Sequence, residues 1–150
     1  MLLDGTPHCW GSQRDGRSTP PQGQRFVQVA SGSTHTAGIT ASGAFKCWGD
    51  NSMGQCPSDD SMRYSQISAG GGFTCGIIED TGFLRCWGGT PQAGNTLGIG
   101  PFAMVAAGGS HVCAVTREGF TGKTSPDVLC SGNNAFGVCD VVDGYAHPRL

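Results

Sequence analysis

Residues Ile67–Gly88, with the sequence ISAGGGFTCGIIEDTGFLRCWG, contain the pattern on which the rest of the chain is built. The stretch has an apolar run, a glycine turn, the strand-like segment FTCGII, a second turn at Glu79–Gly82 and a strand that ends in Cys-Trp-Gly. The same order of features begins earlier at Val29 and again later at Val105. The fold can therefore be argued from an internal repeat.

The repeat has a period of about 38 residues, and two landmarks define it. The first apolar run begins at Val29, Ile67 and Val105. The Cys-Trp-Gly segment lies at 9–11, 47–49 and 86–88, and a copy with serine in place of tryptophan lies at 130–132. A period near 40 with two or more strand-like runs per unit is typical of a β-propeller. We predict one all-β domain, 1–150, with repeat units at 1–28 (partial), 29–66, 67–104 and 105–150.

The composition restricts the function classes. The chain has 150 residues, of which 26 are glycine, 37% are hydrophobic and 13% are charged, and its net charge is −2. This balance gives no basic surface for nucleic acid, and no apolar run approaches the roughly 18 residues of a membrane span. Met1–Leu3 contains no signal-peptide core, but the sequence opens in the middle of a repeat unit.

The repeated residues resemble a known family. The pattern V-A-A-G-G-S-H-x-C-A-V, a turn, and then C-W-G-D-N-S-x-G-Q is similar to the regulator of chromosome condensation repeat in a cysteine-bearing form. The resemblance implies a β-propeller, usually of seven blades with four antiparallel strands each. Seven units of this length need roughly 270 residues, so we expect an incomplete propeller of about three to four blades. An open arc would expose apolar faces, which favours self-association that completes the ring.

The resemblance also implies a class of function. Its members share a surface that binds another protein, so we expect a non-enzymatic module that mediates protein–protein interaction and needs no cofactor. Two alternatives are a guanine-nucleotide exchange factor for a small GTPase and part of a receptor-kinase-like ectodomain. A propeller that binds a sugar or another small molecule is a third. About six residues are inserted near Thr121–Pro126 relative to the other repeats. Insertions of this kind often lie on the binding face of a repeat protein.

Four cysteines flank two predicted hairpins. Cys75 with Cys86, and Cys113 with Cys130, lie on strands that should pair, so we predict a cross-strand disulfide in each hairpin. Buried free thiols are the alternative. The density of eight cysteines in 150 residues favours an extracellular or secretory location.

The other four cysteines have no such hairpin partner. Ala37 stands where a partner of Cys47 is expected, and a partner of Cys9 would lie upstream of the sequence. Cys56 and Cys139 share one repeat position, which the resembling repeats usually fill with leucine. Core packing is therefore expected for this pair, with a Cys47–Cys56 bridge as the alternative.

Other recurring residues are interpreted as structural. We expect the tryptophans to pack between blades, and we assign the recurring histidines and glycines to the framework. Phe73 occupies the histidine position in one repeat, which argues against a zinc site. These framework residues are Trp10, Trp48, Trp87, His35, His111, Gly32, Gly71 and Gly109.

Two sequence patterns could suggest catalysis, but neither meets the requirements of a catalytic site. Gly119–Thr124 is similar to a P-loop, but Arg117 stands where the motif needs glycine and Pro126 interrupts the helix that should follow. The acidic pair at Glu79 and Asp80 lies on a solvated turn, as does the pair at 59–60. We predict no catalytic, cofactor-binding or metal-binding residue.

Overall fold

The computed structural model describes residues 3–57, 61–89, 100–119 and 126–140. Within these ranges, nine β-strands form three antiparallel sheets and the only helix is one 3-10 turn at Arg14–Gly16. No helix of the described residues has the length and apolarity to cross a membrane. The strands are β1 (Phe26–Ser31), β2 (His35–Thr40), β3 (Phe45–Gly49), β4 (Tyr64–Ala69), β5 (Phe73–Ile78), β6 (Leu84–Gly88), β7 (Phe102–Ala107), β8 (His111–Thr116) and β9 (Val128–Gly132).

Each sheet is built from consecutive strands. The orders β1-β2-β3, β4-β5-β6 and β7-β8-β9 define what we call blades 1, 2 and 3. The predicted all-β structure of a partial propeller is confirmed. The resemblance implied four strands per blade, whereas the described residues form three in each. The inserted turn near Thr121–Pro126 lies almost entirely outside the described residues.

The first strand of every blade contains a bulge at the same place. Pairing with the second strand shifts between Phe26 and Gln28, between Tyr64 and Gln66, and between Phe102 and Met104. The bulge adds one exposed residue to the strand, and a bulge re-aims the residues that follow it. The recurrence shows that the blades share backbone geometry as well as sequence.

The apolar core lies between the blades. Blades 1 and 2 enclose Ile39, Phe45, Tyr64 and Ile67, with Trp87 packed against them. A second cluster fills the space between blades 2 and 3; it comprises Phe73, Cys75, Ile77, Phe102, Val105, Val112 and Ala114. A blade therefore needs a neighbour to bury its apolar face, as expected for a repeat protein.

Blade 3 is covered on only one side by the described residues. All six residues of β2 are buried, whereas burial alternates along β8, with Val112, Ala114 and Thr116 buried and the residues between them half-buried. Alternate residues of a strand point to opposite faces. The face of β8 that carries His111 and Cys113 is thus open among the residues described.

Hydrogen bonds from side chains join the first strands of neighbouring blades. The Gln28 amide donates through Nε2 to the Ile67 carbonyl at 3.0 Å and accepts through Oε1 from the Ile67 N–H at 3.0 Å. In the next blade, Gln66 Oε1 accepts from the N–H of Val105 at 2.6 Å. The glutamine amide thereby satisfies backbone groups that no neighbouring strand reaches.

Each blade contains one disulfide that involves its third strand. Cys75 bonds Cys86 and Cys113 bonds Cys130, with Cα atoms 4.1 Å and 4.0 Å apart. In blade 1 the bridge is Cys47–Cys56, with Cα atoms 5.3 Å apart. For Cys56 the expected core packing is wrong, because Ala37 leaves Cys47 without a partner across the hairpin and the loop cysteine takes that role.

Two cysteines remain free thiols, Cys9 and Cys139, and both are half-buried. Cys139 occupies the repeat position of Cys56, and its N–H donates to Asn134 Oδ1 at 2.7 Å just as Cys56 N–H donates to Asn51 Oδ1 at 2.8 Å. Because Cys130 already bonds Cys113, it cannot form a disulfide with Cys139 at the same time.

We predict that Cys113→Ala redirects the blade 3 bridge to Cys130–Cys139, because the mutation leaves blade 3 with the cysteine pattern of blade 1. Peptide mapping without reduction should then find the Cys130–Cys139 linkage. Closing the new loop of nine residues should recover roughly 3 kcal/mol of unfolding free energy relative to the double variant Cys113→Ala/Cys139→Ser. Free Cys130 and Cys139 thiols in folded Cys113→Ala protein would contradict this.

Candidate protein-binding surface

The turn after β3 is fixed by side-chain hydrogen bonds. Asp50 Oδ1 accepts from the N–H of Ser52 at 2.9 Å, and Asp50 Oδ2 accepts from Gln55 Nε2 at 3.0 Å. The N–H of Met53 donates to Gln55 Oε1 at 2.9 Å. Gly54 adopts a φ of +77°, which closes the turn in a conformation that favours glycine. The turn is therefore a rigid element of the surface.

The turn after β9 repeats this arrangement with different residues. Asn133 Oδ1 accepts from the N–H of Ala135 at 2.9 Å, and the N–H of Gly137 donates to the Asn134 carbonyl at 3.1 Å. Gly137 has a φ of +70°, close to that of Gly54. Both turns follow the third strand of a blade, so they lie at the same end of their sheets.

Both turns present a large apolar side chain to solvent. Met53 is 62% exposed, and Phe136 at the equivalent position is 93% exposed. We call residues 50–56 and 133–139 the turn surface. Isolated apolar residues are common on protein surfaces, but Met and Phe held at equivalent tips of two braced turns have the composition of interface anchors.

Buried hydrogen bonds connect the turn surface to the boundary between blades 1 and 2. Gln55 is fully buried, and its carbonyl accepts from the Thr74 hydroxyl at 2.9 Å. His35 Nε2 lies 2.8 Å from the same Thr74 oxygen. Because the Thr74 hydrogen is used by Gln55, His35 must donate from Nε2 and is therefore the Nε2–H tautomer. His35 Nδ1 is buried and has no hydrogen-bond partner in the described part of the chain.

Two ionisable side chains of this region have shifted pKa values. Burial lowers the pKa of His35 below its ordinary value of 6.5, and the nearby Asp50 carboxylate opposes that shift more weakly. Hydrogen bonds from the backbone and hydroxyl of Ser52 lower the pKa of Asp50. At neutral pH, His35 is therefore uncharged and Asp50 is ionised.

Open cavities lie at two blade boundaries of the described residues. One of about 290 Å³ lies between residues 8–12 and blade 1, where Cys9, Trp10 and Thr36 are among its walls. Another of about 550 Å³ lies between blades 1 and 2, beside the Arg63–Glu79 ion pair of 2.9 Å. Neither is enclosed by a set of metal ligands, since no group of three His, Cys, Asp or Glu residues occurs in the described ranges.

The predicted tryptophan packing holds for part of the set. Trp87 of blade 2 packs against Phe45 of blade 1, with ring centroids 5.0 Å apart, and against Tyr64 at 5.6 Å. Trp48 is also buried, but its ring contacts Phe26 of the same blade at 5.5 Å, so this contact lies within blade 1 and not between blades. Trp10 is 85% exposed, so the interpretation is wrong for this residue, because no described strand covers it.

The predicted framework glycines occupy two repeat positions. Gly32 aligns with Gly70 and contacts it, whereas Gly71 aligns with Gly109 and donates its N–H to the Gly109 carbonyl at 3.0 Å.

The predicted framework histidines have different surroundings. His35 is hydrogen-bonded to Thr74, and His111 lies on the open face of blade 3. Sequence reasoning missed Gln28, although glutamine recurs 38 residues later at Gln66 and that recurrence was a usable signal.

The comparison with known families identifies the repeat. Residues 26–55 match the family model described as the regulator of chromosome condensation (RCC1) repeat. These residues contain all of blade 1 and most of the turn that follows it. A search of curated proteins gives no match.

Solved structures show the same fold. The ectodomain of the Physcomitrella patens receptor kinase CR4 is 31% identical over 86% of this chain, with a TM-score of 0.67, and 34% of that ectodomain is covered. The CRINKLY WD40 ectodomain of the Arabidopsis thaliana receptor kinase ACR4 is 26% identical over 86% of this chain, with a TM-score of 0.62 and 43% covered. Yeast RCC1 (Prp20), solved bound to Kap60, is 20% identical over 88% of this chain, with a TM-score of 0.57 and 38% covered. The chain thus spans less than half the length of each.

We predict that acid destabilises the protein through His35. In the unfolded state His35 binds a proton below about pH 6.5, whereas in the folded state its lowered pKa keeps the ring neutral. The unfolding free energy should therefore be constant above that pH, and it should fall as the pH decreases towards the lowered folded pKa. Because one group titrates, the slope should not exceed about 1.4 kcal/mol per pH unit. Denaturant unfolding between pH 5 and pH 8 measures it.

The matched control for this prediction is the double variant His35→Phe/Thr74→Val. It copies into the blade 1–2 boundary the Phe73 and Val112 pair that the chain uses between blades 2 and 3. The variant should remain folded and lose most of the slope. Asp50 does not confound the result, because its lowered pKa places its titration below pH 3.8. An unchanged slope in the double variant would exclude His35 as the cause.

Proposed function

We propose that this chain, a stretch of RCC1-type β-propeller, is a non-enzymatic module that binds a partner protein through its turn surface. The observation that carries the proposal is the exposure of Met53 and Phe136 at the tips of two hydrogen-bonded turns. A turn whose backbone is held in place before binding loses little conformational entropy when a partner covers it. A few side chains carry most of the binding energy in protein interfaces, and Met and Phe are among the residue types enriched there.

The framework supports this function because it is cross-linked. One disulfide per blade and the Gln28 and Gln66 bonds between blades hold the turns in a fixed relation. Loops on a rigid scaffold commonly carry the binding residues of a protein. The proposed role therefore needs no movement of the blades.

We place the module outside the cytosol, as part of a receptor-kinase-like ectodomain. Three disulfides favour an oxidising compartment, and two plant receptor-kinase ectodomains are among the structures with the same fold, one of them 31% identical. The alternative of nucleotide exchange on a small GTPase has less support, because yeast RCC1 at 20% identity supports the fold alone. A nucleotide-release assay against a panel of small GTPases should give no stimulation.

We predict that the double variant Met53→Ser/Phe136→Ser weakens partner binding by at least about 30-fold, which corresponds to the loss of roughly 2 kcal/mol from hot-spot side chains. A photo-crosslinking amino acid at position 136 would identify the partner on intact cells. Isothermal titration with the purified partner would then give the dissociation constants.

The control variant Val27→Ser/Phe83→Ser removes apolar side chains that are 60% and 42% exposed elsewhere on the blades. It should bind with unchanged affinity. Equal affinity of the turn-surface variant and the wild type would reject the proposed surface, and stimulated nucleotide release would reject the non-enzymatic role.

A further inference from the structure

Blade 3 and the turn that follows it contain three cysteines, one more than a disulfide uses. Cys113 on β8 is bonded to Cys130 on β9, and Cys139 in the turn after β9 is a half-buried free thiol. Blade 1 with its turn and blade 2 with its turn contain two cysteines each, and each pair is bonded. Blade 3 thus has a disulfide and a free thiol within one repeat unit.

The cysteine of the third strand forms its bridge in two different directions. In blade 2, Cys86 bonds Cys75, which lies opposite it across the hairpin. In blade 1 the opposite residue is Ala37, and Cys47 bonds Cys56 in the turn that follows the strand. From one backbone position, the third-strand cysteine can therefore bond either a hairpin partner or a turn partner.

The turn after β9 places Cys139 where the turn after β3 places Cys56. The N–H of Cys139 donates to Asn134 Oδ1 at 2.7 Å, and the N–H of Cys56 donates to Asn51 Oδ1 at 2.8 Å. A backbone hydrogen bond of 3.1 Å closes each turn, and the turn glycines have φ values of +70° and +77°. Cys56 forms its bridge from this position, so Cys139 is within reach of Cys130.

We propose that blade 3 is a site of internal thiol–disulfide exchange, in which Cys139 displaces Cys113 from Cys130. The Cys139 thiol gives its proton to water, and the thiolate attacks the Cys130 sulfur. The bond between Cys139 and Cys130 forms and the bond between Cys130 and Cys113 breaks. The electron pair leaves with the Cys113 sulfur, which takes up a proton. One disulfide is present before and after, so the exchange needs no oxidant or reductant.

The other two blades each lack one member of this set. Nine residues after Cys86 the sequence has Asn95, so the turn position of blade 2 supplies no thiol that could attack. In blade 1, Ala37 stands where the leaving cysteine would be. Cys130 and Cys139 are both half-buried, so water can take the proton of the attacking thiol. Among the three blades, the exchange is therefore specific to blade 3.

The exchange moves the cross-link from the hairpin to the turn. When Cys113 is bonded, the bridge joins β8 to β9. When Cys139 is bonded, the bridge closes residues 130–139, a loop that contains Phe136 of the turn surface. A partner that binds one form more tightly shifts the population towards that form. This consequence rests on the proposed function, whereas the exchange itself does not.

Thiol trapping on the whole chain tests the exchange. The protein is kept at neutral pH without added thiol, the exchange is stopped with acid, and free thiols are alkylated with N-ethylmaleimide in denaturant at mildly acidic pH. Peptide mapping without reduction then locates the label and the bridges. We expect label on Cys113 together with a Cys130–Cys139 bridge, in a fraction that does not depend on protein concentration. The label on Cys113 should exceed that on Cys75 at least about tenfold, because the attacking thiol is held in the same repeat unit.

Two matched variants identify the attacking thiol. Cys9→Ser protein has Cys139 as its one free thiol and should give the same label on Cys113 as the wild type. Cys139→Ser protein should keep the Cys113–Cys130 bridge and show no label on Cys113. Blade 2 is an internal control in every sample, because general scrambling would label Cys75 as well.

Label confined to Cys9 and Cys139, label on Cys113 that persists in Cys139→Ser protein, or equal label on Cys113 and Cys75 would each overturn the proposal. The variant Met53→Ser/Phe136→Ser should exchange as the wild type does. Failure of the exchange site is thus distinguishable from failure of the turn surface.

Discussion

The structure depends on the close approach of backbones at the blade boundaries. A Cβ on Gly32 would lie 2.4 Å from the Gly70 carbonyl oxygen, and a Cβ on Gly71 would lie 2.3 Å from that of Gly109. Both distances are shorter than van der Waals contact allows, so a side chain at either position would push neighbouring blades apart. The same approach brings Gln28 within hydrogen-bond distance of Ile67 and closes the apolar clusters between blades. Gly32 and Gly71 are therefore needed for the stacking of the blades.

The strands and their pairing could be predicted from the sequence because they are local. A hairpin fixes its own register, so Cys75 is opposite Cys86 wherever the blade lies. Contacts between blades join residues far apart in the chain, such as His35 with Thr74, and the repeat pattern does not give the relation of one blade to the next. The exposure of Trp10 could not be predicted for the same reason, since a neighbouring strand decides whether the ring is covered.

The candidate site was only partly visible in the sequence. Gly, Asp and Asn residues indicate a turn at 50–56 and a matching turn at 133–137, but the exposure of Met53 and Phe136 could not be predicted, because it depends on the contacts of the folded turns. The bonds of Asp50 and Asn133 are equivalent, whereas the Gln55 side chain adds bonds to the first turn that Val138 cannot make in the second. Whether Cys47 and Cys56 form a disulfide could not be decided from the sequence, because it depends on how close the two sulfur atoms lie. The structure shows that they are bonded.

The most direct test of blade stacking is the unfolding free energy of Gly71→Ala compared with Gly109→Ala. The two glycines share one repeat position, and a Cβ on Gly109 would have no described atom within 4 Å. Gly71→Ala should lower the unfolding free energy by about 1–3 kcal/mol, the usual cost of overpacking, whereas Gly109→Ala should leave it nearly unchanged. Equal effects of the two substitutions would contradict the close-contact account of how these blades assemble.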